Sequence, residues 1–210
     1  AVYFDCSSNG EFDGIDLPFN KESETPLFKA EYRIFLSEIE RSTQKRILNV
    51  LKNELRTKAY ITDSQASYGN FLNYYREYEN SDFLDMHYYW QHPIFEEGHS
   101  WDRNYYSIKN IAMVDQNKPN TPLFNILSYV AVGRPFTISE LNHPFPNEHQ
   151  HETLPMIGSW AAYHDMDAVY QFSYDQPNKD SKSSFVNGYF SMATNPLLMT
   201  TAPLAAIMFR

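Results

Sequence analysis

The sequence predicts an α/β fold with a parallel sheet, on three observations. Runs with apolar residues at spacings of three and four alternate along the chain with short β-prone runs, the order expected when crossover helices join parallel strands. The 210 residues, 42% of them hydrophobic, are enough for one real core, so residues 1–210 are read as a single domain. Finally, the β-prone run Phe136-Thr-Ile-Ser-Glu140 ends in a carboxylate and opens into a loop where Pro144, Pro146 and Asn147 break both helix and strand.

Taken in order, residues 1–26 are an irregular lead-in rich in Gly, Ser, Asp and Pro. From Leu27 to Leu55 the apolar positions Phe28, Tyr32, Phe35, Leu36, Ile39, Ile47, Leu48, Leu51 and Leu55 predict one long helix, or two joined near Ser42. Thr25-Pro26 supplies its cap and first-turn proline. Lys58 to Asp63 reads as a strand and Tyr68 to Glu79 as a helix; Asp82 to Trp90 reads as the next strand. The loop that follows runs to roughly thirty residues, a length that predicts a functional segment and not a plain connection. Thr121-Pro122 starts a helix over Leu123 to Val132, closed by Gly133. The Glu140 strand, a helix from Leu154 to His164, a strand from Ala168 to Tyr174 and a helix from Pro196 to Phe209 complete the chain.

Four strands make either a small open sheet or part of a barrel. Right-handed crossovers place every strand's C-terminal end on one face. Gln65, His87 to Trp90, Glu140 with Asn142, and Tyr170 to Tyr174 then converge there. A carboxylate at such an end is where an α/β barrel carries its chemistry.

Composition excludes several classes. A formal charge of −9, with no Lys/Arg cluster, argues against nucleic acid. No apolar run approaches the roughly 20 residues that span a bilayer, and Ala1 to Gly10 has no signal-peptide pattern. The single cysteine, Cys6, rules out an internal disulfide framework. The chain carries 16 Tyr, 15 Phe and 3 Trp, and Tyr88, Tyr89, Trp90 and Trp101 stand among polar residues. Aromatic faces beside hydroxyl-binding groups suit sugar rings, and also protein interfaces. His143, Glu148, His149, His151 and Glu152 crowd together but lack zinc-motif spacing, so no metal is expected, nor any other cofactor. There is no Gly-x-Ser-x-Gly elbow and no phosphate-binding glycine signature.

The segments Asp82 to Trp90 with His87-Tyr-Tyr-Trp, Ser139-Glu140-Leu-Asn-His-Pro-Phe-Pro-Asn-Glu148, Trp160-Ala-Ala-Tyr163 and Val169-Tyr-Gln-Phe-Ser-Tyr174 carry a resemblance. Over about 28–210 the chain resembles the C-terminal half of a (β/α)8, or TIM, barrel glycoside hydrolase of the retaining cellulase/β-galactosidase clan. The resemblance implies the last four βα units of a half barrel, with Glu140 as catalytic nucleophile. It also implies a His-x-Tyr element at His87 and Tyr89, and an aromatic sugar platform at Tyr170 or Phe172. The clan's acid/base Glu follows an Asn on strand four, which this alignment puts upstream of Ala1. Asn9-Gly10-Glu11 has an intervening Gly, Asn53-Glu54 lies in a helix, and Asn147-Glu148 lies beyond the nucleophile. The chain is therefore expected to be part of a longer enzyme and incomplete alone. The parent is expected to be extracellular or periplasmic and to act on oligo- or polysaccharide.

Within that chemistry, Tyr89 and Asn142 are the expected hydrogen-bond donors to Glu140. His87 is to orient the same carboxylate or a sugar hydroxyl, Gln65 to reach a hydroxyl, and Trp90 to serve as a platform. Glu96, Glu97 and Glu148 are the loop carboxylates that could supply a second catalytic group. The alternative is a barrel relative that binds carbohydrate, or serves structurally, without catalysis. Exposed half-barrel edges predict a symmetric homodimer.

Overall fold

The structure, a computed structural model, describes residues 25–63, 65–66, 71–114, 122–175, 185–186 and 188–210. The lead-in through residue 24, the Thr121 cap and the expected helix start at Tyr68 lie outside them.

Helix α1 spans Pro26–Asn49 and runs without a break past Ser42 into a π-helical turn, Val50–Glu54. Thr25 caps it by accepting the Phe28 N–H at 3.2 Å. Helix α2, Phe71–Asn80, packs beside it. Ion pairs tie the two: Arg76 to Glu40 at 2.5 Å, and Arg41 to Glu79.

The expected strand Lys58–Asp63 is not one. The Asp82 carboxylate accepts the Ile61 N–H at 2.7 Å and the Thr62 hydroxyl stands 3.0 Å from the Phe83 carbonyl, so side chains occupy places a backbone ladder would need. Isolated backbone bonds, Asp82 N–H to Ile61 O and Ala66 N–H to Asp85 O, still lay the segment alongside the sheet.

The main sheet is small, parallel and mixed with helices. Strand β1 is Leu84–Tyr89; the ribbon strands β2, Ile94–Phe95, and β3, Tyr106–Ser107, follow in the long loop, which the sequence did not foretell. Helix α3 covers only Pro122–Leu127. Its continuation to Val130 is held by i−3 bonds from Ser128, Tyr129 and Val130, a tighter turn than an α-helix, before Gly133 reverses the chain at φ +78°. Strand β4 is Phe136–Asn142, helix α4 Gln150–Tyr163, strand β5 Ala168–Gln171 and helix α5 Pro196–Met208. The sheet order is β1-β4-β5, with both pairings parallel, and the described strands do not close into a barrel.

Alternation along the strands decides the layers. Leu84, Met86 and Tyr88 of β1 and Phe136, Ile138 and Leu141 of β4 are buried against Ile126 of α3, Leu154, Ile157 and Ala161 of α4, and Leu198 and Ala205 of α5. Ile138, Ile157 and Leu198 are each 0% exposed, and such side chains contribute about 1.5–3 kcal/mol apiece. At Gly158 α4 comes so close to α5 that a Cβ would stand 2.7 Å from the Ala205 carbonyl oxygen.

Helix α4 begins four residues before the expected Leu154, despite the prolines around it. Its first turn is fixed from outside: Gln150 is fully buried and bonds the His143 carbonyl and Asn195. The Glu152 carboxylate accepts the Met113 and Val114 N–H groups. Among the described residues no helix is long and apolar enough to cross a membrane.

Candidate functional site

The strand that carries Glu140 changes phase just before it. In β4 the partners run Asp85 with Thr137 and Met86 with Ile138, then His87 with Glu140, which leaves Ser139 as the extra residue of a bulge. Strict alternation would send Glu140 into the apolar layer with Ile138. The bulge puts it on the opposite, polar face with His87, the kind of re-aiming that bulges provide beside functional groups. On the other side β5 shows the matching shift, pairing Ile138 with Val169 and Leu141 with Gln171, so Tyr170 stands opposite Ser139 and Glu140.

Glu140 is a third exposed, and two side chains converge on one of its oxygens. The Tyr89 hydroxyl donates to Oε2 at 2.6 Å, and Nδ1 of His87 lies 3.2 Å from the same atom. Among the described residues Oε1 takes no hydrogen bond, so one oxygen is anchored and the other presented. Burial, and then the Glu140 carboxylate beside it, push the Tyr89 phenol well above the usual tyrosine range, so Tyr89 remains a donor. His92, its ring tilted against Tyr89 at 4.5 Å, is pushed down by burial while the Glu140 charge pulls it back up.

The other expected residues fall differently. Gln65 uses its side-chain oxygen to accept the His87 N–H at 3.3 Å, fixing the strand that carries the histidine. Asn142 is fully buried and does not reach Glu140. Its amide donates to the carbonyls of Phe172 and Phe190, at 2.9 Å for the latter, and its oxygen accepts the His143 N–H at 2.6 Å. The expected donor to the carboxylate is thus a clamp on two distant backbone segments. Trp90 donates from Nε1 to the Ile111 carbonyl at 3.0 Å and packs edge-on to His143, which gives it an anchoring role for the long loop. Tyr170 is well exposed. It lines a cavity of about 280 Å³ on the polar face with Gln65, Asp85, His87, Thr137 and Ser139.

The sequence reading passed over several residues here. Phe190 lies 5.1 Å from the Tyr89 ring and 6.2 Å from Phe172, closing an aromatic wall beside Glu140. Asp85, two places before His87, is buried on the same face and accepts hydroxyls from Thr137 and Ser139. The period of two in Asp85-x-His87-x-Tyr89 was the available signal for it.

The histidine-rich run holds no metal cluster: among the described residues no group of three or more His, Cys, Asp or Glu is placed to share an ion. His143 is buried against Thr153 and pushed down to about 4 by burial, then by His149, while His149 pairs with Glu152 at 3.5 Å. No family model, curated protein or solved structure matches this chain.

Proposed function

We propose that these residues form the nucleophile-bearing half of a retaining (β/α)8-barrel glycoside hydrolase, with Glu140 as the nucleophile. The observation that carries the reading is the asymmetry of that carboxylate, one oxygen held by Tyr89 and His87 and the other without a donor among the described residues, at the C-terminal end of a parallel strand. Retaining hydrolysis asks for this division, since one oxygen must attack the anomeric carbon while the other is held still. The glycosidic C–O bond breaks as the ester to Glu140 forms, and the leaving oxygen takes a proton from an acid group. Water then cleaves the ester, giving its proton back to that group and releasing Glu140. On this reading the acid/base belongs to a strand outside these residues, Tyr170 and Phe172 offer sugar-facing rings, and the substrate is an oligo- or polysaccharide.

The half-barrel reading is supported by the layers. Helices α3, α4 and α5 cover one face of the sheet, while the opposite face is polar and borders the cavity. The flanking helices expose Leu27, Ile34 and Ile47 on α1, and Leu197, Leu204 and Ile207 on α5. Surfaces of this kind favour self-association, and we expect a symmetric dimer of the isolated chain. Sedimentation at micromolar concentration checks this, and a strict monomer counts against it.

The function is tested with 2-deoxy-2-fluoro glycosides bearing highly activated leaving groups, which depart with little help from an acid. Peptide mass spectrometry is expected to find the glycosyl adduct on Glu140 and none in Glu140→Gln. Folded protein that forms no adduct with any sugar of a broad panel sinks the catalytic reading in favour of a carbohydrate-binding relative.

A further inference from the structure

We propose that Asp85 is a positioning residue for Glu140 and acts through His87; this rests on the reading of Glu140 as the nucleophile. Asp85 lies two residues before His87 on β1, so the two side chains share the polar face. It is 4% exposed, and a carboxylate so buried requires donors. Both come from β4: Thr137 donates to Oδ1 and Ser139, the bulged residue, donates to Oδ2 at 2.5 Å. The same Oδ2 lies 4.0 Å from Nε2 of His87, whose Nδ1 faces Glu140 at 3.2 Å.

The imidazole is therefore lodged between two carboxylates that only accept. Its backbone is fixed by Gln65, and the two acceptors fix the ring plane, each favouring a proton on the nitrogen that faces it, Nε2 for Asp85 and Nδ1 for Glu140. A role confined to tying β1 to β4 would duplicate the backbone ladder that already pairs them on both sides of the bulge. The placement of the charge against the ring is what such a tie leaves unexplained.

The test compares wild type, Asp85→Asn and Thr137→Val. Two readouts are taken: the nitrogen NMR signals of the His87 ring, and the rate of adduct formation on Glu140. In wild type the spectra are expected to place a proton on Nε2, the nitrogen that faces Asp85. Asp85→Asn is expected to shift both ring signals and slow the adduct by at least about tenfold, the scale on which small misplacements act. Thr137→Val, which leaves the carboxylate its Ser139 donor and loses one tie to β4, is expected to react much faster than Asp85→Asn. A wild-type ring with no proton on Nε2 overturns the proposal, a result that needs no variant to fold. Ring signals unmoved by Asp85→Asn, or equal slowing in Thr137→Val, also overturn it. A wild type that forms no adduct overturns the nucleophile reading instead, and the ring signals still decide the part played by Asp85.

Discussion

Thr62 has one hydroxyl hydrogen and two oxygens within reach, the Phe83 carbonyl at 3.0 Å and Glu77 Oε1 at 2.8 Å. A carbonyl can only accept, so both contacts are hydrogen bonds only when the Glu77 carboxyl is neutral and donates. Glu77 is fully buried, and burial pushes it from its ordinary 4.5 up to about 8. A carboxyl raised by folding makes the native state the better proton binder between those values. Its contribution is thus complete below about 4.5 and is lost as pH rises through about 8. His143, lowered to about 4, acts in the opposite sense: its contribution is present above its ordinary 6.5 and lost as pH falls through about 4. Comparison with Glu77→Gln, whose amide imitates the neutral acid, separates the two. Wild type should lose stability relative to the variant between pH 5 and 8 in denaturant melts, and parallel curves would refute the assignment. At this scale His87 and Tyr89 were legible because alternation puts them on one face of a strand, whereas Glu140 reaches that face only through the bulge, which alternation alone does not foretell. Asn142 was misread because its partners, the carbonyls of Phe172 and Phe190, lie 30 and 48 residues further on, a separation no local pattern reveals.

Helices α4 and α5 pack around a glycine, and two effects compete there. Gly158→Ala would ordinarily gain up to about 1 kcal/mol of helix propensity. Here the new methyl would meet the Ala205 backbone carbonyl at 2.7 Å, and a backbone cannot turn aside as a flexible side chain can. The clash should win, with a net loss of about 1–3 kcal/mol seen as a lower urea midpoint at unchanged slope. An unchanged midpoint would mean that the two helices slide apart freely. Element type was legible where apolar spacing was long, as in α1, and in the apolar run from Pro196 that forms α5. Boundaries failed where tertiary partners intervene. The Asp82 side chain displaces a ladder beside residues 58–63, and Gln150 and Glu152 draw four additional residues into α4.

For the molecule as a whole, the sequence specified alternation and a shared polar end, and the described sheet has three parallel strands where four were expected. The two-stranded ribbon inside the long loop had no comparable signal, since each of its strands is only two residues long. The number of residues in β4 carries information that their identities alone do not. Apolar residues stand at 136, 138 and then 141, a change of parity visible in the letters once the site is known. The strand therefore has something like a reading frame. Removing Ser139 would dispense with the bulge: regular alternation would then carry Phe136 and Ile138 inward, Glu140 outward and Leu141 inward, the faces they hold now. The frame of the site would survive the loss of a residue from the middle of its strand, and what would go with it is the hydroxyl that Asp85 accepts.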